Sequence, residues 1–155
     1  MADCPPDLAL ESDDLDHLLG YQLRRLSVAV MADLTSVLAP IDLRPVEAAM
    51  LFLIGASSGI TQSDLGRRLA IQRPNMAPLV GQLDRRGLIE RARIDGRSHG
   101  LLLSADGEAL RRKAWEIVLD HEDRMFSGLS VPQRRKLGQQ VLMLRKTLEH
   151  MERPT

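Results

Sequence analysis

The sequence predicts a mainly α-helical chain carrying one small β-hairpin. Three observations lead there. Apolar residues make up 44% of the 155 but aromatics only 3%, so the core is aliphatic, which suits packed helices better than a β-sandwich. Leucines and valines recur at three- and four-residue steps near both ends of the chain, the helical period. Between them, residues 60–104 (ITQSDLGRRLAIQRPNMAPLVGQLDRRGLIERARIDGRSHGLLLS) read as helix, tight turn, helix, then two short apolar segments around a strong turn signal. A chain of this length has room for one domain with a proper core.

Residues 1–12, MADCPPDLALES, are a polar tail with two prolines, expected to be mobile. The single cysteine, Cys4, lies in it and excludes an intramolecular disulfide framework. Residues 13–38 are expected to form the first long helix, with Leu15, Leu18, Leu19, Leu23, Leu26, Val30, Leu34 and Leu38 as its apolar stripe. Asp13, Asp14 and Asp16 would occupy its first turn, where negative charge suits the helix dipole. Ala39–Leu43 reads as a connector, and Arg44–Ala56 as a second, very apolar helix. Pro45 is tolerated at its start because the first N–H groups have no intrahelical partner. Phe52 is expected in the core, and Ser57, Ser58 and Gly59 form a joint.

The next helix has a clear start. Thr61 is placed as N-cap, Asp64 three residues on is a short version of the capping-box acid, and Ile60 with Leu65 fits the hydrophobic staple. Ala70–Ile71 reads as the turn. A second helix follows from about Arg73 to Arg86, with Met76, Leu79, Val80 and Leu83 facing inward. That leaves Gln72, Arg73, Asn75 and Ala77 exposed at its N-terminal end. Arg, Asn and Gln read base edges in a major groove through paired hydrogen bonds. Pro74 is an ordinary first-turn proline. Pro78 sits further in, removes one backbone hydrogen bond and is expected to kink or loosen the helix. Gly87 stops it as a residue able to take positive φ. Leu88–Arg91 and Leu101–Leu103 then flank the Asp95–Gly96 turn, so the hairpin tip presents Arg97, Ser98 and His99. A cation on a hairpin tip beside a reading helix is what a winged helix-turn-helix uses to reach a phosphate or the next groove.

A long helix is expected over Ser104–Ser127, capped by Ser104, with Leu110, Ala114, Ile117, Val118, His121 and Met125 buried. Trp115 reads as packing, under the reading lobe or beside a cavity. The last helix, Ser130–Arg153, opens on a Ser130/Gln133 capping box. Leu137, Val141, Leu144, Leu148 and Met151 form a heptad-like seam too short for a free coiled coil, so it needs a partner.

Three pieces, ITQSDLGRRLAI, LVGQLDRRGLIERARIDGR and LLLSADGEALR, resemble the DNA-binding core of the MarR (multiple antibiotic resistance regulator) family of transcription regulators. The likeness runs from about Leu19 to Leu148 and is most specific from Ile60 to Leu110. It implies a winged helix-turn-helix with long N- and C-terminal dimerisation helices, binding a near-palindromic operator, by default as a repressor, and often released by a small ligand or an oxidant. On that reading residues 44–104 are the DNA-binding lobe, and 13–43 with 105–155 the dimerisation region. The expected DNA-facing set is Gln62, Ser63, Gln72, Arg73, Asn75, Ala77, Arg97, Ser98 and His99, with Asp95 and Gly96 making the wing turn. Leu15, Leu19, Leu137, Val141, Leu144 and Leu148 are the expected dimer contacts. The partners are then double-stranded DNA, a second copy of the chain and a small apolar or weakly acidic effector, whose pocket residues stay unassigned. Two departures from the family pattern stand out. Many members carry a polar or basic residue where this chain has Pro78. Peroxide-sensing members place a cysteine within the first helix among tyrosines, whereas HLLGYQLRR has no cysteine and Tyr21 is the chain's one tyrosine; Cys4 reads as an incidental thiol.

Charge sharpens the reading. The net charge is zero, but residues 61–100 hold eight arginines against four acidic residues, while residues 1–20 hold six acidic residues and no Lys or Arg. Local potential, rather than the total, drives phosphate binding. The four histidines, His17, His99, His121 and His150, form no HExxH and no metal-ligand spacing, and no phosphate-binding glycine loop or nucleophile elbow is present, so neither catalysis, cofactor nor metal is expected. No apolar run approaches the roughly 20 residues of a membrane span and no secretory signal is visible, so a cytoplasmic protein is expected. A winged helix reused as a protein–protein adaptor is the rival reading.

Overall fold

The computed structural model describes residues 15–93 and 99–151. Cys4, Asp13, Asp14 and the wing-tip residues Asp95, Gly96, Arg97 and Ser98 lie outside the described residues. The elements are α1 (Leu19–Leu38), a 3-10 turn (Ala39–Ile41), α2 (Pro45–Ala56), β1 (Ile60–Thr61), α3 (Gln62–Arg68), α4 (Arg73–Arg85), β2 (Ile89–Arg93), β3 (His99–Leu103), α5 (Ala105–Met125) and α6 (Val131–Met151).

The first long helix is not continuous from residue 13. Leu15 and Asp16 are helical, Leu18 is extended (φ −83°, ψ 112°), and α1 begins at Leu19. The Gln22 side-chain amide holds this break by donating to the Asp16 carbonyl (3.0 Å) and carboxylate (3.1 Å). Leu15, Leu18 and Leu19 are all exposed, so no burial enforces a straight run through them. No acidic residue stands in the first turn of α1, and the dipole argument for Asp13, Asp14 and Asp16 does not apply to it.

The expected two-stranded hairpin is a three-stranded antiparallel sheet in the order β1-β3-β2. Ile60 pairs with Leu101 and Thr61 with Gly100, and the register of β2 on β3 runs from Ile89↔Leu103 to Arg93↔His99. Gly59, at φ 83°, donates its N–H to the Leu101 carbonyl at 3.0 Å and leads the chain into that edge. Ile60 is buried and serves as a strand residue as well as the one before the cap. His99 belongs to β3 opposite Arg93, rather than to the tip.

The core is aliphatic, as the composition required. Leu38, Met50, Leu51, Ile54, Leu65, Met76, Val80, Leu83 and Leu101 are fully buried. They join α2, α3, α4 and the sheet to the last turn of α1. Trp115 of α5 packs against α2, a helix of the 44–104 lobe. It is 46% exposed and meets the half-buried Phe52 edge-to-face, centroids 5.0 Å apart. On α5, His121 is buried with its Nε2 3.1 Å from Asp33 Oδ2 of α1, and Arg124 pairs with the same carboxylate. The end of α1 is thereby tied to α5. Among the described residues no single helix is long and apolar enough to cross a membrane.

Candidate nucleic-acid interface

The reading unit is α3, turn, α4. Its start is fixed as the sequence required: Asp64 N–H donates to Thr61 Oγ1 (3.1 Å) and the Thr61 hydroxyl donates to the Asp64 carboxylate (2.7 Å). The acid is too short to reach the cap backbone and takes the hydroxyl instead. The turn is tight because Ala70 adopts φ 54°, the left-handed region, and because Gly66 lets the helices close. A Cβ on Gly66 would stand 3.0 Å from the Ile71 carbonyl oxygen and 3.2 Å from Met76 Cγ.

On α4 the buried row is Met76, Val80 and Leu83. Gln72, in extended conformation as N-cap, and Arg73, Asn75 and Ala77 all face solvent. Gln62, Ser63 and Arg73 line one cleft of 110 Å³ between α3 and α4, so three of the expected DNA-facing residues are brought together there. Pro78 does not break the element, which runs unbroken from Arg73 to Arg85. The lost N–H leaves the carbonyl of Pro74 without its intrahelical donor.

The arginines divide into paired and unpaired. Arg67 pairs with Asp64, Arg91 with Asp84 at 3.4 Å, and Arg86 with Glu47 and Asp42. Arg73 and Arg85 make no ion pair among the described residues and are exposed at the two ends of α4. On α4 itself these two carry the charge that no described acid pairs, and Arg68 of α3, which donates to Ser57 Oγ at 3.1 Å, also makes no ion pair among the described residues.

One cluster was not foreseen. Glu47, at the third position of α2, is 4% exposed. Its Oε2 accepts the Arg44 backbone N–H at 2.9 Å and its Oε1 the Arg44 guanidinium at 3.1 Å, with Arg86 Nη1 at 3.5 Å. Arg44 also donates to the Gln82 side chain. Burial pushes the Glu47 carboxyl pKa up, but the Arg44 hydrogen bonds and the charges of Arg44 and Arg86 outweigh it and hold it below the ordinary carboxylate value. The carboxylate is therefore ionised at neutral pH. The sequence signal was half visible, since a glutamate three residues after Arg44 is capping-box spacing; nothing local pointed to Gln82 or Arg86.

A family model described as the MarR family matches residues 41–98. The transcriptional repressor CouR, solved bound to a 23-mer DNA duplex, is 34% identical, with 88% of this chain and 98% of that chain covered and a TM-score of 0.82. The chain belongs to the MarR family. As a MarR-family protein it is a DNA-binding transcription regulator that pairs with a second copy of itself. CouR bound to p-coumaroyl-CoA gives 32% identity, 88% and 97% coverage and a TM-score of 0.80. The HTH-type transcriptional repressor Rv2887 of Mycobacterium tuberculosis H37Rv is 28% identical over 123 residues, 78% of this chain and 88% of that protein. Its complex with salicylic acid superposes with a TM-score of 0.69 at 27% identity, over 83% of this chain and 97% of that one.

Leu15, Leu19, Leu137, Val141, Leu144 and Leu148 are all exposed, Leu19 by 66% and Leu148 by 51%. Helix α1, the end of α5 and α6 also border an apolar groove of 450 Å³ lined by Leu23, Leu26, Val30, Phe126, Leu137 and Val141. Among the described residues no group of three or more His, Cys, Asp or Glu is placed to hold a metal ion.

Proposed function

We infer that the protein is a cytoplasmic homodimeric repressor that reads a near-palindromic operator with α4 of each copy and is released by an aromatic acid or its coenzyme A thioester. The observation that carries the DNA reading is the exposed cluster at the start of α4. Gln72, Arg73, Asn75 and Ala77 supply two kinds of bidentate base reader and one thymine-methyl contact. Gln62 and Ser63 hold the phosphates beside them, and Arg97, Ser98 and His99 contact the DNA backbone further out. Residues 44–104 are the DNA-binding lobe; 13–43 and 105–155 pair the two copies, setting the reading helices about 34–36 Å apart for half-sites one turn apart. The effector class is supported by the p-coumaroyl-CoA and salicylic acid held by CouR and Rv2887.

The test is footprinting and salt-titrated binding on the DNA upstream of the protein's own gene. Protection of a two-fold site, with affinity falling steeply as salt rises, is expected. Arg73→Ala should cost about 1–3 kcal/mol on the operator and relax specificity at one base pair per half-site. Salicylate or p-coumaroyl-CoA should release the complex. Binding no tighter than to random duplex at low salt would transfer the lobe to the adaptor reading.

A further inference from the structure

The structure assigns to Glu47 a positioning role in operator discrimination, an inference that rests on the operator-binding reading. Glu47 touches no DNA-facing surface, yet its carboxylate holds Arg44 and Arg86, and Arg86 in turn reaches Asp42. Arg44 is the N-cap of α2. Arg86 is the C-cap of α4, the reading helix. Asp42 closes the 3-10 turn after α1 in the left-handed conformation, φ 50°. Arg86 reaches Glu47 with one guanidinium nitrogen at 3.5 Å, and with the other donates to the Asp42 carbonyl at 2.6 Å. Arg44, held by Glu47, donates to Gln82 in the last turn of α4. Removing the carboxylate would leave two guanidinium groups side by side without their buried counter-charge, and both grips on α4 would slacken together.

The consequence is geometric. Helix α4 has 13 residues, so it spans about 20 Å at 1.5 Å per residue. A tilt of about 3° at its anchored C-terminal end displaces the N-terminal end by about 1 Å. A displacement of about 1 Å spoils the paired geometry that base-edge hydrogen bonds from Arg73 and Asn75 need, whereas single charged contacts to phosphate oxygens tolerate it. Glu47 therefore governs the ratio of operator to random-sequence affinity, not the affinity for DNA in general. The same links join the end of α1 to the reading helix, so an effector that moves α1 acts on α4 through them. Gln82, engaged by Arg44, is withdrawn from base reading.

The experiment compares wild type, Glu47→Gln and Arg86→Lys as full-length proteins on operator and on random duplex, across salt. Hydrogen exchange of the α4 amides is followed in parallel. Glu47→Gln keeps the side-chain shape and loses the charge. It should lower operator affinity about tenfold, the worth of one bidentate base contact, and leave random-duplex affinity within about twofold with the salt slope unchanged. Exchange should rise over residues 82–86 and stay unchanged in α5. Arg86→Lys keeps the buried carboxylate paired but cannot serve Glu47 and Asp42 at once, so its loss should be intermediate; it decides the matter if Glu47→Gln does not fold. Equal losses on both duplexes, or no loss on either with exchange unchanged, would overturn the assignment. If wild type itself fails to discriminate, the operator reading falls, and exchange at 82–86 still shows whether Glu47 anchors the helix.

Discussion

Single residues decide how closely the helices of the reading lobe approach. Gly107, in the first turn of α5, is the tightest case. A Cβ there would lie 1.9 Å from the Leu88 carbonyl oxygen, which belongs to backbone and cannot rotate away. Gly66 is looser at 3.0 Å from the Ile71 oxygen, and alanine's better helix propensity, worth up to about 1 kcal/mol, offsets part of that crowding. Gly107→Ala should therefore destabilise by about 1–3 kcal/mol, the usual cost of overpacking, and Gly66→Ala by clearly less. Urea unfolding of the two variants checks the order, and the reverse order would mean that α5 can slide on the sheet edge. Neither contact was legible beforehand. A glycine early in a helix reads as a weak helix former until the strand facing it is known. Glu47 has the same history: its capping-box spacing to Arg44 is local, while its link to Arg86 joins residues far apart in the chain.

At the scale of elements, what lay within one turn of helix was legible and what depended on pairing across the chain was not. Thr61, Gly87 and Ser104 each announce an end, and each stands where its type implies: two as side-chain N-caps, Gly87 just past α4 at φ 68°. The buried row of α4 followed from its period. Strand β1 escaped because two residues show no alternation; Ile60 and Thr61 looked like a staple and a cap, and they are that and a sheet edge as well. The break at Leu18 escaped because the leucine spacing continues through it, though all three leucines around it face outward. Ser104 joins the two kinds of information. Its Oγ accepts the Gly107 N–H at 3.0 Å and its hydroxyl donates to the Gly87 carbonyl at 2.6 Å, linking the start of α5 to the stop of the reading helix. Ser104→Ala should cost about 1 kcal/mol for the cap and further stability for the lost Gly87 bond. Ser104→Asp should restore the cap alone, since a carboxylate cannot donate. Thermal melts of the three proteins give the ranking, and equal stability of the alanine and aspartate variants would show that the Gly87 link dominates.

For the whole molecule, the distribution of apolar surface explains why one copy is incomplete. The lobe buries its aliphatic side chains, whereas α6 buries almost none. Leu137, Val141, Leu142, Met143, Leu144 and Leu148 are between 36% and 66% exposed along a helix of 21 residues, about 32 Å long at 1.5 Å per residue. Leucines 19 and 26, with Val28 and Met31, leave α1 equally bare. Surface of that extent and pattern marks a protein interface, and a second copy brings an identical pair of helices to it, which a two-fold axis makes self-complementary. On the proposed pairing of α1 and α6, the same axis relates the two reading helices and gives the operator its symmetry. Leu144→Glu places a charge in the middle of the seam, where it would be desolvated without a partner. The variant should sediment as a monomer while its lobe keeps the wild-type fold. Each monomer then meets one half-site, and operator affinity should fall by on the order of 100-fold or more, because the second lobe no longer binds at high effective concentration. Random-duplex binding, which depends on each lobe's own arginines, should change far less. A Leu144→Glu protein that remains dimeric would place the interface elsewhere on these helices. A monomer with full operator affinity would mean that one lobe suffices, and the near-palindrome would have no structural cause.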